Sequence, residues 1–136
     1  MGATHGRVGP VTRIGLTAVL LAAMVGGCAT PFGEAPPARS RDGVLVDASG
    51  MTLYTYDRDP PRARGSSCVA ECARSWPPFV APADAKRLGD YTPVRRADGT
   101  LQWTYQGKPL YLRNEDRKPG DRTGDGAENL WRAAQP

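Results

Sequence analysis

Apolar residues along the chain fall into two regimes. Residues 14–25 form one unbroken apolar run of 12 residues. After residue 42 the apolar positions come in short groups, Val44 to Val46, Leu53 to Tyr56, Leu101 to Tyr105 and Pro109 to Leu112, separated by Gly, Pro, Asp and Asn. Short alternating groups between turn residues predict strands and hairpins. In residues 51–57, alternation puts Tyr54 and Tyr56 on one strand face and Leu53 and Thr55 on the other. Asp59, five positions past Tyr54, has the wrong parity for the tyrosine face and falls beyond the strand end. A hairpin of residues 44–57 turns at 47–50, and Asp98-Gly99 predicts a second between residues 91–96 and 101–105. Pro109 marks residues 109–113 as a strand start or edge.

The same frame occurs twice. Gly50, Leu53, Tyr54 and Asp59 recur 57 positions later as Gly107, Leu110, Tyr111 and Asp116. Trp76 and Trp131 follow their tyrosines by 22 and 20 positions. A repeated frame implies one supersecondary unit per copy, each needing a partner to bury its apolar side. The expected fold is mainly β: a small two-repeat, hairpin-based domain with one short disulfide-closed helix, preceded by a signal peptide and linker. Residues 43–136 form the domain, with repeats at 43–82 and 91–136. Its expected core is Val44, Val46, Leu53, Trp76, Phe79, Leu101, Trp103, Leu110, Leu112 and Trp131.

The helix is predicted between Ser67 and Trp76, with Ser66 or Ser67 as N-cap and Glu71 in the first turn. Pro77 and Pro78 stop it. Cys68 and Cys72 then lie one turn apart, roughly 6 Å between Cα atoms, within reach of a disulfide.

The 12-residue apolar run is too short to span a bilayer and has the length of a signal-peptide core, preceded by Arg7 and Arg13. It ends in Val25-Gly26-Gly27-Cys28, which is similar to a bacterial lipobox. The resemblance implies cleavage before Cys28, acylation of that cysteine and anchoring of residues 28–42 as a Pro-rich tether. The expected location is the cell envelope, lipid-anchored: the periplasmic face of the outer membrane where one exists, otherwise the outer face of the cell membrane. Removing the leader leaves Cys68 and Cys72 as an even pair in an oxidising compartment.

Charge and composition narrow the chemistry. The chain has 136 residues with 18 Lys plus Arg against 14 Asp plus Glu, but two of the arginines are in the leader. The remaining excess is small and interspersed, so no nucleic-acid partner is expected. The one histidine is His5. A mature chain without histidine has no Ser-His-Asp or Cys-His machinery and no histidine metal or haem ligand. No cofactor or metal is expected. Asp116, Asp121, Asp125 and Glu128 lie in the polar stretch 114–129, but their spacing does not match an EF-hand, and Arg117, Lys118 and Arg122 would repel a cation.

Tyr54-Thr55-Tyr56-Asp57-Arg58-Asp59 also resembles the Tyr-x-(aromatic)-x-x-Asp motif of a family of predicted bacterial lipoproteins and secreted repeats. The second copy keeps Tyr111 and Asp116 but has Arg113 at the aromatic position. The family's Cys-x-x-x-Cys-Ala-x-x-Trp-Pro-Pro stretch corresponds to residues 68–78. Its Lys-Pro-Gly-Asp-x-x-Gly-x-Gly loop corresponds to residues 118–126, with Trp131 following. The resemblance covers residues 43–136 and implies no established activity.

Two readings of the motif follow. In the favoured one, Asp59 and Asp116 accept hydrogen bonds from loop N–H groups and serve the scaffold. In the other, Tyr54, Tyr56, Asp59, Tyr111 and Asp116 line a surface that binds an envelope protein or small ligand. The functional expectation is a non-enzymatic binding module on the membrane through the lipid at Cys28. The alternatives are a thiol-redox protein using Cys68 and Cys72, and a carboxylate-dependent hydrolase.

Overall fold

The computed structural model describes residues 1–6, 9–10, 34–62 and 65–136. The expected leader core and lipidation site, with Arg7, Arg13 and Cys28, lie outside the described residues. The chain divides into one unit of Met1–Pro31 and another of Phe32–Pro136. All described strands belong to the second.

A hairpin opens that unit. β1 (Arg39–Arg41) pairs antiparallel with β2 (Val44–Val46). Asp42 and Gly43 turn the chain with φ of 49° and 80°, a two-residue turn whose twist suits a hairpin. Residues 39–42, expected in the tether, are therefore folded: their backbone groups complete a ladder with β2. Asp47 then organises the next turn, accepting hydrogen bonds from the amides of Ser49 and Met51, both at 2.9 Å. The chain returns through a bridge between Val46 and Thr52 into β3 (Tyr54–Tyr56). The expected hairpin of residues 44–57 is reduced to this bridge, flanked by the Asp47 N–H to Met51 carbonyl and Leu53 N–H to Leu45 carbonyl bonds. β3 takes its ladder partner from the far end of the chain.

α1 (Glu71–Ser75) is short, and Trp76 ends it. Neither Ser66 nor Ser67 caps it: Ala70 stands at the N-cap with no side-chain bond. β4 (Val80–Ala81), β5 (Tyr91–Arg95), β6 (Leu101–Tyr105) and β7 (Lys108–Pro109) form one sheet centred on β6. Gly99, with φ of 86°, turns β5 into β6, and Gln106-Gly107 turns β6 into β7. β8 (Trp131–Ala133) pairs with β3.

The repeats trade their last strands. In the first half, the Leu45 N–H reaches the Ala134 carbonyl, the Ala134 N–H reaches the Leu53 carbonyl and the Leu53 N–H reaches the Leu45 carbonyl, at 2.8–2.9 Å. In the second half, Trp103, Phe79 and Leu110 make the same triangle at the same distances. Residues 77–80, at the end of the first repeat, thus pair into the second, and residues 131–134, at the end of the second, pair into the first.

Two apolar clusters result, each drawing on both repeats. One holds Leu45, Leu53, Trp103 and Leu110; the other holds Val44, Val46, Tyr54, Trp76, Tyr111 and Trp131. Phe79, Leu101 and Leu112 are half-buried against the first cluster. Alternation at β3 sends Leu53, just before it, into the first cluster and Tyr54 and Tyr56 into the second.

Candidate functional site

The two tyrosines of the repeated frame meet back to back. The Tyr54 N–H bonds the Tyr111 carbonyl at 2.8 Å, and the Tyr111 N–H bonds the Tyr54 carbonyl at 2.9 Å. A reciprocal pair of this kind is what an approximate two-fold imposes: residue i contacts j and j contacts i. The side chains follow the same rule across the repeats. The Tyr54 hydroxyl donates to Asp116 Oδ2 at 2.6 Å, and the Tyr111 hydroxyl donates to Asp59 Oδ2 at 2.7 Å. Each aspartate turns its other oxygen to a loop amide, Ser67 N–H on Asp59 at 2.7 Å and Thr123 N–H on Asp116 at 3.1 Å. The Thr123 hydroxyl adds a third bond to Asp116. Asp59 lies beyond the end of β3, off the face of its own tyrosine, and serves the tyrosine of the other copy.

This geometry corrects the expectation of a motif surface. Tyr54 and Tyr111 have no exposed area and Asp116 is 7 % exposed. Asp59 and Tyr56 are half-buried. Burial pushes the Tyr54 and Tyr111 hydroxyls well above the ordinary tyrosine value, with the facing Asp116 and Asp59 adding to the effect. Burial also raises the Asp59 carboxyl, opposed by the Ser67 amide and the Tyr111 hydroxyl. Phenols held this far from ionisation act as donors to fixed carboxylates.

Around these pairs runs a column of flat groups. Tyr56 stacks on Trp131 at 4.4 Å, Trp131 on Trp76 at 3.7 Å with planes 4° apart, and the Arg113 guanidinium lies 4.6 Å over Trp76. Arg113, the departure from the motif, therefore occupies the place in its own copy that Tyr56 holds in the first. A planar cation on an indole face replaces a ring on an indole face.

The loops that supply the amides are closed differently. In the first repeat, Cys68 and Cys72 form a disulfide with Cα atoms 5.1 Å apart. Cys68 has no exposed area, and its carbonyl accepts from the Arg96 guanidinium at 2.9 Å. Arg96 also reaches Ser66 Oγ at 2.9 Å and Gln102 Oε1 at 2.7 Å, and Ser66 meets the Tyr111 hydroxyl at 2.5 Å. In the second repeat, Asp121 accepts from the amides of Arg117 and Lys118 at 2.8 and 3.1 Å and from Lys118 Nζ at 2.9 Å. The Lys118 ammonium and the Arg117 amide hold the Asp121 carboxyl at about 2. Gly124 completes this loop beneath the rings: a Cβ there would stand 2.7 Å from both Tyr54 and Trp76. Sequence reasoning missed Ser66, Arg96, Gln102 and Thr123. The one available signal was a basic residue, Arg96, just past an alternating strand.

A family model described as a secreted repeat of unknown function matches residues 38–80 and again residues 92–135. The chain belongs to this family. No curated protein and no solved structure matches it. The secreted-repeat boundaries coincide with the structural ones: each match opens at a hairpin and closes on the strand given to the other copy. Among the described residues, no three His, Cys, Asp or Glu side chains converge as a metal site would require.

Outside this shared frame, the secreted repeats diverge at a cleft of about 370 Å³ between the β3–β8 ladder and the β6–β7 turn. Thr55, Gln106, Lys108, Asp125 and Arg132 line it. None of the five residues expected as a binding surface is among its lining residues.

Proposed function

We propose that the protein is a lipid-anchored envelope protein whose two-repeat domain is a non-enzymatic module for binding a small ligand or an envelope partner. The observation that carries this reading is the exchange of hydrogen bonds between the copies. Tyr54 with Asp116 and Tyr111 with Asp59 bind each other and nearby loop donors, so the motif builds a frame. A carboxylate pair for glycoside hydrolysis needs one acid free to give a proton and one free to attack or to activate water. Asp59 and Asp116 are both engaged as acceptors on two oxygens. A thiol-redox role needs a sulfur open to attack. Cys68 is closed off, which leaves only the partly buried Cys72 sulfur to attack, and the Cys68 carbonyl helps hold Arg96, so the bond serves the loop. Binding then falls to exposed positions beyond the motif. The anchoring part of the proposal rests on Val25-Gly26-Gly27-Cys28 at the end of the apolar run.

Intact-mass spectrometry of the protein extracted from its own membranes tests the anchor. The expected mass is a chain beginning at Cys28, plus acyl groups, two hydrogens light for the disulfide. A chain with its leader attached, or one beginning elsewhere without lipid, contradicts the anchor. Asp59→Asn and Asp116→Asn test the frame. Weakened folding in both supports it, whereas native stability with a lost envelope phenotype would return the motif to the role of a site.

A further inference from the structure

We propose that the cleft between the β3–β8 ladder and the β6–β7 turn binds a small anionic sugar derivative, a sugar acid or sugar phosphate. This rests on the binding-module reading and names the ligand class.

The first support is the break in the internal symmetry. By the 57-residue offset, Lys108 corresponds to Met51 and Thr55 to Leu112. Arg132 corresponds to Pro77, because Arg132 pairs with Thr55 while the Leu112 N–H bonds the Pro77 carbonyl. Three polar or cationic residues in the cleft thus replace an apolar set at the equivalent place. The frame does not require them, since the other half folds with Met, Leu and Pro there.

The second support is the unspent hydrogen-bonding capacity. Among the described residues, Lys108 enters none of the ion pairs, and neither its side chain nor that of Thr55 is hydrogen-bonded. Arg132 engages Asp57 at 3.4 Å and the Asn129 carbonyl at 3.2 Å through a single terminal nitrogen, leaving its other donors free. Lys108 and Arg132 set two cations against the one carboxylate of the lining, Asp125, and this local excess favours an anion at their end of the cleft. Arg presents a planar fork and Lys a point charge, a combination suited to carboxylate or phosphate oxygens.

The third support is the acceptor in the same cleft. Asp125 Oδ1 accepts from the Ala133 N–H at 2.9 Å, which orients the carboxylate and leaves Oδ2 to accept from a ligand. A ligand that suits both ends carries an anion at one side and a hydroxyl donor at the other. Thr55 and Gln106 supply further hydrogen bonds between them, and the cleft volume admits one sugar ring.

The test is a titration of the full processed protein in detergent, followed by amide chemical shifts, with glucuronate, glucose 6-phosphate, neutral glucose and inorganic phosphate as probes. Glucuronate or glucose 6-phosphate should shift Thr55, Gln106, Arg132 and Ala133 saturably. Glucose should leave these amides unmoved, and phosphate should bind at least about fivefold more weakly than the better charged sugar. Lys108→Gln should weaken binding about five- to tenfold, a loss of about 1 kcal/mol, with an unchanged melting temperature. No saturable shift, an equal response to glucose, or shifts mapping to another face would overturn the proposal. Phosphate binding as tightly as the sugars would reduce the cleft to a bare anion site and overturn the sugar assignment. A null titration would leave the acylated mass and the Asp→Asn results intact, so failure here is distinguishable from failure of the anchor or the frame.

Discussion

The two repeats solve one problem with different chemistry. Each must fix a loop so that its backbone N–H meets the aspartate of the motif. The first uses the Cys68–Cys72 disulfide, with Arg96 and Ser66 tying the loop to Tyr111. The second uses Asp121 as a cap on the turn at residues 117–121, with Gly124 beneath the rings. The pairings that appear twice belong to the frame: Tyr with Asp, Leu with the borrowed strand, and a flat side chain on each indole of the Trp76–Trp131 stack. The features that appear once, such as the disulfide or the charged cleft, are where the repeats have separate tasks.

The largest effect should come from removing what both repeats share. Trp131→Ala should cost about 3–5 kcal/mol, as large aromatic truncations in cores do. Trp76→Ala should cost a similar amount, because the two indoles stack on each other at 3.7 Å. Chemical denaturation of the two variants measures both, and a large difference between them would break the equivalence.

Reduction should act on one repeat only. Opening a loop as small as that between Cys68 and Cys72 removes about 2 kcal/mol in the chain-entropy account. Hydrogen exchange under reductant should show lost protection over residues 66–75 and retained protection over 117–124.

A smaller effect sharpens the comparison at the stack. Arg113→Ala should destabilise by about 1 kcal/mol through the lost contact on Trp76. Arg113→Tyr should recover most of this, since a tyrosine fills the equivalent place over Trp131. Thermal melts of the two variants decide it.

The smallest effect should come from acid and act on the second repeat. Asp121 sits at about 2 when folded, below its unfolded value of about 4. A carboxyl lowered by folding contributes stability that is complete above about pH 4 and lost as pH falls toward 2. Amide protection over residues 117–121 should therefore decline between pH 4 and 2, while the disulfide-closed loop of the first repeat keeps its own.

Much of the frame was legible in the chain. The 57-residue offset gives the two repeats, and the local signals at Asp98-Gly99 and at Cys68 to Cys72 give the β5–β6 hairpin and the disulfide, whereas the hairpin expected over residues 44–57 is reduced to a bridge. The parity of Asp59 even showed that it does not share its own tyrosine's face. The identity of its partner was not legible, because that depends on which strand a repeat gives to the other, and strand exchange leaves no local trace. The same holds for Arg96, whose burial is set by Ser66 and Cys68 some 30 positions away. β1 was hidden for a different reason. Arg39, Ser40 and Arg41 read as polar linker, and only pairing with Val44 to Val46 makes them a strand. Tyr54 and Tyr111 read as surface aromatics because the rings that cover them, Trp76 and Trp131, lie some 20 positions further along the chain.

The central claim is that the two motif copies hold each other. A double-mutant cycle on folding stability tests it most directly, combining Tyr54→Phe with Asp116→Asn and, separately, with Asp59→Asn. Contacting pairs couple by about 0.5–3 kcal/mol and pairs without contact by less than about 0.5. The reciprocal frame predicts coupling for Tyr54 with Asp116, across the repeats, and little for Tyr54 with Asp59, within one copy. Coupling confined to the same copy, or absent from both pairs, would contradict it.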